Sequence, residues 1–193
     1  MNMMKKRVAV FVWLLACAFM AAAGSAAGAE YCVGSVSELQ TAIAQASSSG
    51  SALFTTFVRI KQGTYHVGNT TLAYGASVRS YALQLLGGYN SDCSARVVNP
   101  DNTVFDGDGN HLFLNPLADL VIEGLRFQNL GPSGQLDLTA TADNVTVRVF
   151  NNAFVGVGVS ALPFYDGDSD PVSNYAMKFV NNRVHGYVKP AQT

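Results

Sequence analysis

Residues 147–154 read VRVFNNAF, and residues 177–184 repeat this stretch as MKFVNNRV. A shorter copy, IEGLRF at residues 122–127, aligns with residues 149–154, so that equivalent positions lie 27 and then 30 residues apart. Repeats of this length are typical of solenoid proteins, in which each coil rests on the previous one and repeats its inward-facing residues. A sandwich or a barrel requires no such register. The repeat therefore predicts stacked coils of parallel strands.

Each copy of the repeat divides into a strand and a turn. Two apolar residues flank a basic one, which predicts that Arg148 and Lys178 project outward from strands whose apolar residues face inward. An Asn-Asn pair follows the strand in the two longer copies, where the backbone must turn and adopt a left-handed conformation. Equivalent asparagines are expected to hydrogen-bond to one another and to the turn backbone. The predicted asparagine ladder consists of Asn151, Asn152, Asn181 and Asn182. The residues expected to return to the interior after the turn are Phe127, Phe154 and Val184.

The remainder of the sequence reads as one helix followed by short strands. Ser35-Val36-Ser37-Glu38 is a capping-box pattern, and apolar residues follow it at helical spacing. Three strand-like runs come next, each followed by a corner or turn rich in Gly, Asn or Asp. The strands are predicted at 57–61, 82–86 and 103–105, with the corner at 63–65 and the turns at 87–90 and 106–109. The sequence therefore predicts an all-β fold with a short N-terminal capping helix.

Several of these segments resemble the N-terminal part of right-handed parallel β-helix proteins of the pectin-lyase-like superfamily. The similar segments are the helix at 37–47, VRIKQGTY at 58–65, LLGGYN at 85–90, DC at 92–93 and NTVFDG at 102–107. The similarity extends over residues 32–188. It implies a solenoid of about five coils that occupies residues 30–193, in a secreted or cell-surface protein. The resemblance identifies a fold more specifically than a function.

Members of that superfamily usually have more coils than this sequence provides. A parallel solenoid that stops without a cap exposes an unpaired sheet edge and an apolar cross-section. We therefore expect a domain that is truncated at its C-terminal end, or one whose open edge is covered by further coils or by a second copy.

The first 29 residues have the pattern of a secretory signal peptide. Residues 5–7 are basic, residues 8–20 are apolar, and small residues follow as far as Ala29. The protein is thus expected to be exported, to a secreted, periplasmic or cell-surface location. Lipid attachment at Cys17, which would tie the protein to a membrane, is one alternative. An uncleaved membrane anchor is another, although Ala and Gly fill lipid less well than Leu and Ile.

The charge balance excludes a typical nucleic-acid-binding protein. The whole chain carries 12 basic and 13 acidic residues, for a net charge of −1. Residues 1–29 contain three basic residues and no acidic ones, so that the rest carries 9 against 13, a net charge of −4. An acidic protein lacks the basic surface that attracts phosphate backbones.

Two cysteines, Cys32 and Cys93, remain after the predicted signal peptide. In an oxidising compartment they are expected to form a structural disulfide. Such a bond closes a loop of about 60 residues and would stabilise the fold by about 4 kcal/mol through chain entropy. Neither cysteine has a CxxC partner or a histidine pair nearby, so a metal or redox role is not indicated.

Candidate metal ligands are few. The acidic stretch at 166–170 offers alternate aspartates that can bind Ca²⁺ through oxygen atoms, although it lacks the glycine and distal glutamate of an EF-hand. The alternative is a solvated loop. A similar stretch at 106–110 is interpreted as a structural turn, and His66, His111 and His185 show no metal-ligand spacing. The candidate Ca²⁺ ligands are Asp166, Asp168 and Asp170, and no other cofactor is predicted.

The sequence favours a non-catalytic module that binds a glycan or another protein, or mediates adhesion, at the cell surface. The alternative is a fragment or remnant of a carbohydrate-active β-helix enzyme similar to polysaccharide lyases, and a truncated, non-functional product is a third reading. The resemblance to lyases implies several carboxylates that converge on a basic residue. The repeat places at most one carboxylate, Glu123, in the columns around Arg148, and therefore predicts no catalytic residues. A polysaccharide or a protein is the expected partner.

Overall fold

The computed structural model describes residues 28–48, 55–68, 72, 82–110, 112–114, 118–130, 135–138, 145–156, 158–160, 176–185 and 188–189. One α-helix, α1, spans Val36–Ser48, and a short 3₁₀ turn spans Pro100–Asn102. The strands are β1 Glu30–Val33, β2 Thr56–Lys61, β3 Gly63–His66, β4 Leu83–Tyr89, β5 Thr103–Asn110, β6 Leu112–Leu114, β7 Leu120–Glu123, β8 Arg126–Leu130, β9 Gln135–Leu138, β10 Thr146–Phe150, β11 Ala153–Val155, β12 Gly158–Ser160, β13 Ala176–Val180, β14 Arg183–His185 and β15 Val188–Lys189.

The strands form three parallel sheets, which the chain visits in turn. Sheet 1 has the order β1-β2-β4-β7-β10-β13, sheet 2 has the order β14-β11-β8-β5-β3, and sheet 3 has the order β15-β12-β9-β6. From β4 onward, each strand of sheet 1 is followed in the chain by one of sheet 2 and then by one of sheet 3. The predicted all-β class with parallel strands is confirmed.

The three repeat copies lie on adjacent strands in the predicted register. In sheet 1, Val149 pairs with Ile122 on one side and with Phe179 on the other. In sheet 2, Phe154 pairs with Phe127. Offsets of 27 and 30 residues in the sequence are therefore hydrogen-bonded neighbours in the fold.

Alternation along the strands supplies a continuous apolar core. Val147 and Val149 are fully buried, whereas Arg148 and Lys178, which pair with each other, face outward as predicted. Beneath the sheets an aromatic column connects successive strands, and its ring centroids lie 5.2 to 5.7 Å apart. Each such pair contributes about 1 kcal/mol beyond the area that it buries. The column consists of Tyr65, Phe105, Phe127, Phe154 and Phe179.

Helix α1 begins at the predicted capping box. Ser35 Oγ accepts a hydrogen bond from the Glu38 amide at 3.2 Å, and Glu38 Oε2 accepts one from the Gly34 amide at 2.6 Å. These two bonds satisfy amides that the first helical turn leaves without intrahelical partners. The buried face of the helix packs against β1 and β2 and joins the core. It consists of Leu39, Ala42, Ile43 and Ala46.

Two strands are longer than predicted, because glycines at their ends permit pairing rather than ending it. β4 continues to Tyr89, which pairs with Lys61 after a shift in register, where the sequence predicted a turn at 87–90. The Gly87 backbone lies so close to that of Gly124 that any side chain would collide with it. A chain without a Cβ is therefore what allows the strand to continue at this point.

The second extension is in β5, where a turn was predicted at 106–109. The strand runs to Asn110, which pairs with Leu130 after an irregularity in register. Asp108 and Gly109 have φ of 48° and 80°, so the backbone does bend within the strand, as it does at a β-bulge. The predicted corner at 63–65 was also misplaced, because Gly63–His66 forms β3.

Cys32 and Cys93 form the predicted disulfide, with Cα atoms 5.9 Å apart. The predicted signal peptide lies almost entirely outside the described residues, as do the candidate Ca²⁺ ligands at 166–170. Among the residues that the structure describes, α1 is too short and too polar to cross a membrane.

Candidate functional site

The turns between sheets 1 and 2 carry the asparagine pairs. Asn151 and Asn181 have φ of 57° and 52°, the left-handed conformation that asparagine tolerates better than most residues. Asn181 Nδ2 donates to Asn151 Oδ1 at 2.6 Å, and Asn151 Nδ2 donates to Glu123 Oε1 at 2.9 Å. These three side chains form an outer polar row along the turns.

The second asparagine of each pair lies beneath this row. Asn152 is 1% exposed, and its Nδ2 donates to the carbonyl oxygens of Ile122 and Phe150 at 2.9 and 3.0 Å. Its Oδ1 accepts from the Leu125 amide at 3.0 Å. Asn182 Oδ1 in turn accepts from the Asn152 amide at 2.9 Å. The inner row therefore satisfies backbone groups that the turns leave without strand partners.

A segment that we call the strap, residues 90–102, lies against the outside of these turns. Its Arg96 donates to Glu123 Oε2 at 2.7 Å and to the Gly87 carbonyl at 2.9 Å. Asp101, near its other end, accepts from Arg126 at 3.3 Å and from Arg183 at 2.6 Å. The hydrogen bond from Arg183 is the main reason that the pKa of Asp101 lies below its ordinary value. The strap is thus anchored at both ends to three successive strands.

A cleft of about 400 Å³ opens between the strap and the turns. Val98 and Pro100 form its apolar wall, and Val98 remains 46% exposed. The opposite wall presents amides and a guanidinium group, which together donate and accept hydrogen bonds. The residues of this polar wall are Asn151, Asn152, Asn181 and Arg183. An apolar wall that faces a few convergent polar groups is the usual composition of a small-ligand site.

The charged groups near the cleft are paired with each other. Asp101 accepts from two arginines, and Glu123 binds Arg96 with both side chains largely buried. Arg148, on the outer face of sheet 1, pairs with Asp119 at 3.3 Å. A carboxylate held in an ion pair is a weak general base, because its pKa is lowered. The cleft is suited to binding rather than to proton transfer.

A second polar cluster lies on sheet 2, where His66 and Asp106 pair across β3 and β5. His66 Nδ1 is 3.0 Å from Asp108 Oδ1, and the hydrogen bond to Asp108 is the main reason that the pKa of His66 is raised. Burial acts to raise the pKa of Asp106, but hydrogen bonds, the strongest from Gln128, outweigh burial and lower it.

The sequence predicted some of these residues and missed others. The structure brings the four ladder asparagines together, and it places Arg126 and Arg183 at equivalent positions on either side of Ala153, as the repeat indicated. The role of Asp101 carried no signal, because the strap lies outside the repeat. The proximity of His66 to residues 106 and 108 was missed because those aspartates were interpreted as a turn. Aligning GTYH at 63–66 with TVFD at 103–106 would have revealed it.

Comparisons of the chain with protein-family models, with curated proteins and with solved structures return no match.

Proposed function

We propose that the chain is an exported, non-catalytic module that binds a glycan in the cleft between the strap and the asparagine turns. The fold that supports this proposal is a right-handed parallel β-helix of about five coils, of the pectin-lyase-like kind, with α1 as its N-terminal cap. The cyclic visits to three parallel sheets and the matching register of the repeats favour such a solenoid. The disulfide favours an oxidising compartment, and therefore export.

The observation that carries the proposal is the composition of the cleft. Sugars present hydroxyl groups, which donate and accept hydrogen bonds, on a ring that also has apolar C–H faces. The amides of Asn151 and Asn181 and the guanidinium of Arg183 match the hydroxyls, and Val98 with Pro100 matches a C–H face. A protein partner would need a much larger surface than this cleft supplies.

Catalysis is the alternative that the same site must be tested against. The carboxylates beside the cleft are engaged with Arg96, Arg126 and Arg183. A lyase mechanism needs a base that is free to take a proton from the sugar. We therefore expect binding without cleavage.

The test is a glycan array probed with the exported, purified chain, followed by titration of the sugars that bind. Arg183→Ala and Asn151→Gly should each weaken binding about tenfold, since each removes a hydrogen bond worth about 1.5 kcal/mol. Glycine suits the left-handed backbone at 151, so the second change leaves the turn intact. Lys178→Ala is the matched control, because it removes an exposed charge from the preceding strand, on sheet 1.

Two results would refute the proposal. One is a chain that binds no sugar, or that binds equally well in Arg183→Ala and in the wild type. The other is release of unsaturated uronates from an acidic polysaccharide, followed by ultraviolet absorbance, which would establish an enzyme instead.

A further inference from the structure

The cluster on the outer face of sheet 2 combines one imidazole with two carboxylates. His66, Asp106 and Asp108 each offer a ligand atom, and these three atoms all lie within 4.8 Å of one another. The residues come from β3 and β5, which are neighbours in the sheet but are about forty residues apart in the chain. The fold, rather than the local sequence, creates this group.

The distances suit a metal ion. Two ligands of one zinc ion, each at about 2.1 Å, lie roughly 3.0 to 3.5 Å apart. His66 Nδ1 and Asp108 Oδ1 are 3.0 Å apart already, so both can bind one ion without a change in the backbone. Small side-chain rotations bring Asp106 within the same range.

Neighbouring side chains hold Asp106 in place, as outer groups do around metal ligands. Asp106 Oδ2 accepts from Gln128 Nε2 at 2.8 Å and from Asn129 Nδ2 at 3.0 Å. Its Oδ1 accepts from the Asp108 amide at 3.0 Å. Such bonds fix the orientation of a carboxylate and leave its remaining lone pairs for an ion.

Access and charge point the same way. The side chains of His66 and Asp108 are 67% and 46% exposed, so an ion and its water ligands can enter from solvent. Among the described residues, neither Asp106 nor Asp108 is paired with a lysine or arginine. The two carboxylates therefore leave uncompensated negative charge beside a neutral imidazole, which a divalent cation would neutralise.

We propose that His66, Asp106 and Asp108 bind a divalent transition-metal ion of the zinc type, with water in the remaining coordination positions. The imidazole nitrogen selects this class of ion, because Ca²⁺ and Mg²⁺ prefer oxygen ligands alone. The bound ion would join β3 to β5 on the outside of sheet 2. The site is separate from the cleft, and the proposal does not depend on glycan binding.

The test is isothermal titration of ZnCl₂ into the full chain, purified without a histidine tag and treated with EDTA. One equivalent should bind, and His66→Ala and Asp108→Asn should each weaken binding at least tenfold. His185→Ala is the matched control, because His185 is also exposed and aligns with His66 across sheet 2 through Asp106, Gln128 and Val155. It should bind zinc as the wild type does.

Three results would overturn the proposal. The first is no zinc binding by the wild type at millimolar concentration. The second is equal binding by His66→Ala and the wild type, and the third is displacement of zinc by an equal concentration of Ca²⁺. Because both test positions are exposed, circular dichroism of the variants should match that of the wild type, and it confirms that each variant is folded before titration.

Discussion

Replacing Asn152 by alanine is expected to lower the free energy of unfolding by about 4 kcal/mol, more than any exposed change in the turns. Asn152 is 1% exposed and bonds to backbone groups of three other residues. Alanine fits the backbone but offers neither a donor nor an acceptor. The Leu125 amide and the Ile122 carbonyl would then lose these partners where water has little access.

The magnitude follows from those two groups. A buried backbone group that loses its hydrogen bond costs about 1 to 3 kcal/mol, so the pair costs about 2 to 6 kcal/mol. The bond from Asn152 Nδ2 to Asn182 Oδ1, at 3.2 Å, is lost as well, but Asn182 keeps its bond from the Asn152 amide. A value near 4 kcal/mol is therefore the central expectation.

The matched control is Asn151→Gly, one residue earlier in the same turn. Asn151 has φ of 57°, which glycine adopts freely, and its side-chain bonds to Glu123 and Asn181 lie where water can replace them. We expect a loss of about 1 kcal/mol or less. Urea unfolding followed by far-ultraviolet circular dichroism measures both variants, and amide hydrogen exchange at Leu125 reports the specific bond.

The reasoning is refuted if the two variants lose stability equally. It is also refuted if Asn152→Ala leaves the exchange protection of the Leu125 amide unchanged relative to that of other core amides. Either result would mean that the inner asparagine row is not what satisfies the turn backbone.

Two further predictions concern the N-terminal half of the chain. Burial, together with the charge of Glu38, raises the pKa of Tyr65 to about 12, so its stabilising effect is complete below pH 10 and is lost as the pH rises through 12. In urea unfolding the wild type should lose about 3 kcal/mol more between pH 10 and 12 than Tyr65→Phe loses, and parallel pH profiles would contradict this. The double change Cys32→Ser and Cys93→Ser should lower stability by about 4 kcal/mol, since the disulfide joins residues 61 apart. Dithiothreitol should destabilise the wild type by the same amount and leave the double variant unaffected; equal stability of the oxidised and reduced wild type would disprove a stabilising role.

The repeats carried enough information to predict strand pairing before any coordinates. Stacked parallel strands place residue i above its counterpart one coil earlier, so the offset between copies is itself the register. That is why Val149 was correctly aligned with Ile122 and Phe179, and Phe154 with Phe127. The capping box before α1 was predictable for a different reason, because its bonds join residues only three or four apart.

The turns before β5 and within it were the weakest predictions. Gly87 and Asp108 were taken as strand ends, since glycine and left-handed aspartate commonly end strands. Whether a glycine ends a strand or lets two backbones approach depends on what lies opposite, and for Gly87 that is Gly124, more than thirty residues later in the chain. Local sequence contains no record of that neighbour.

The sequence by itself determined which residues face inward, how the strands pair and where the asparagine rows run, because these properties repeat along the chain with the coil. The tertiary structure alone decided the two candidate sites. Asp101 reaches Arg126 and Arg183 only because the strap folds back over three strands, and His66 meets Asp108 only because β3 lies beside β5. Contacts between a repeated element and a non-repeated one have no period, so no pattern in the sequence announces them.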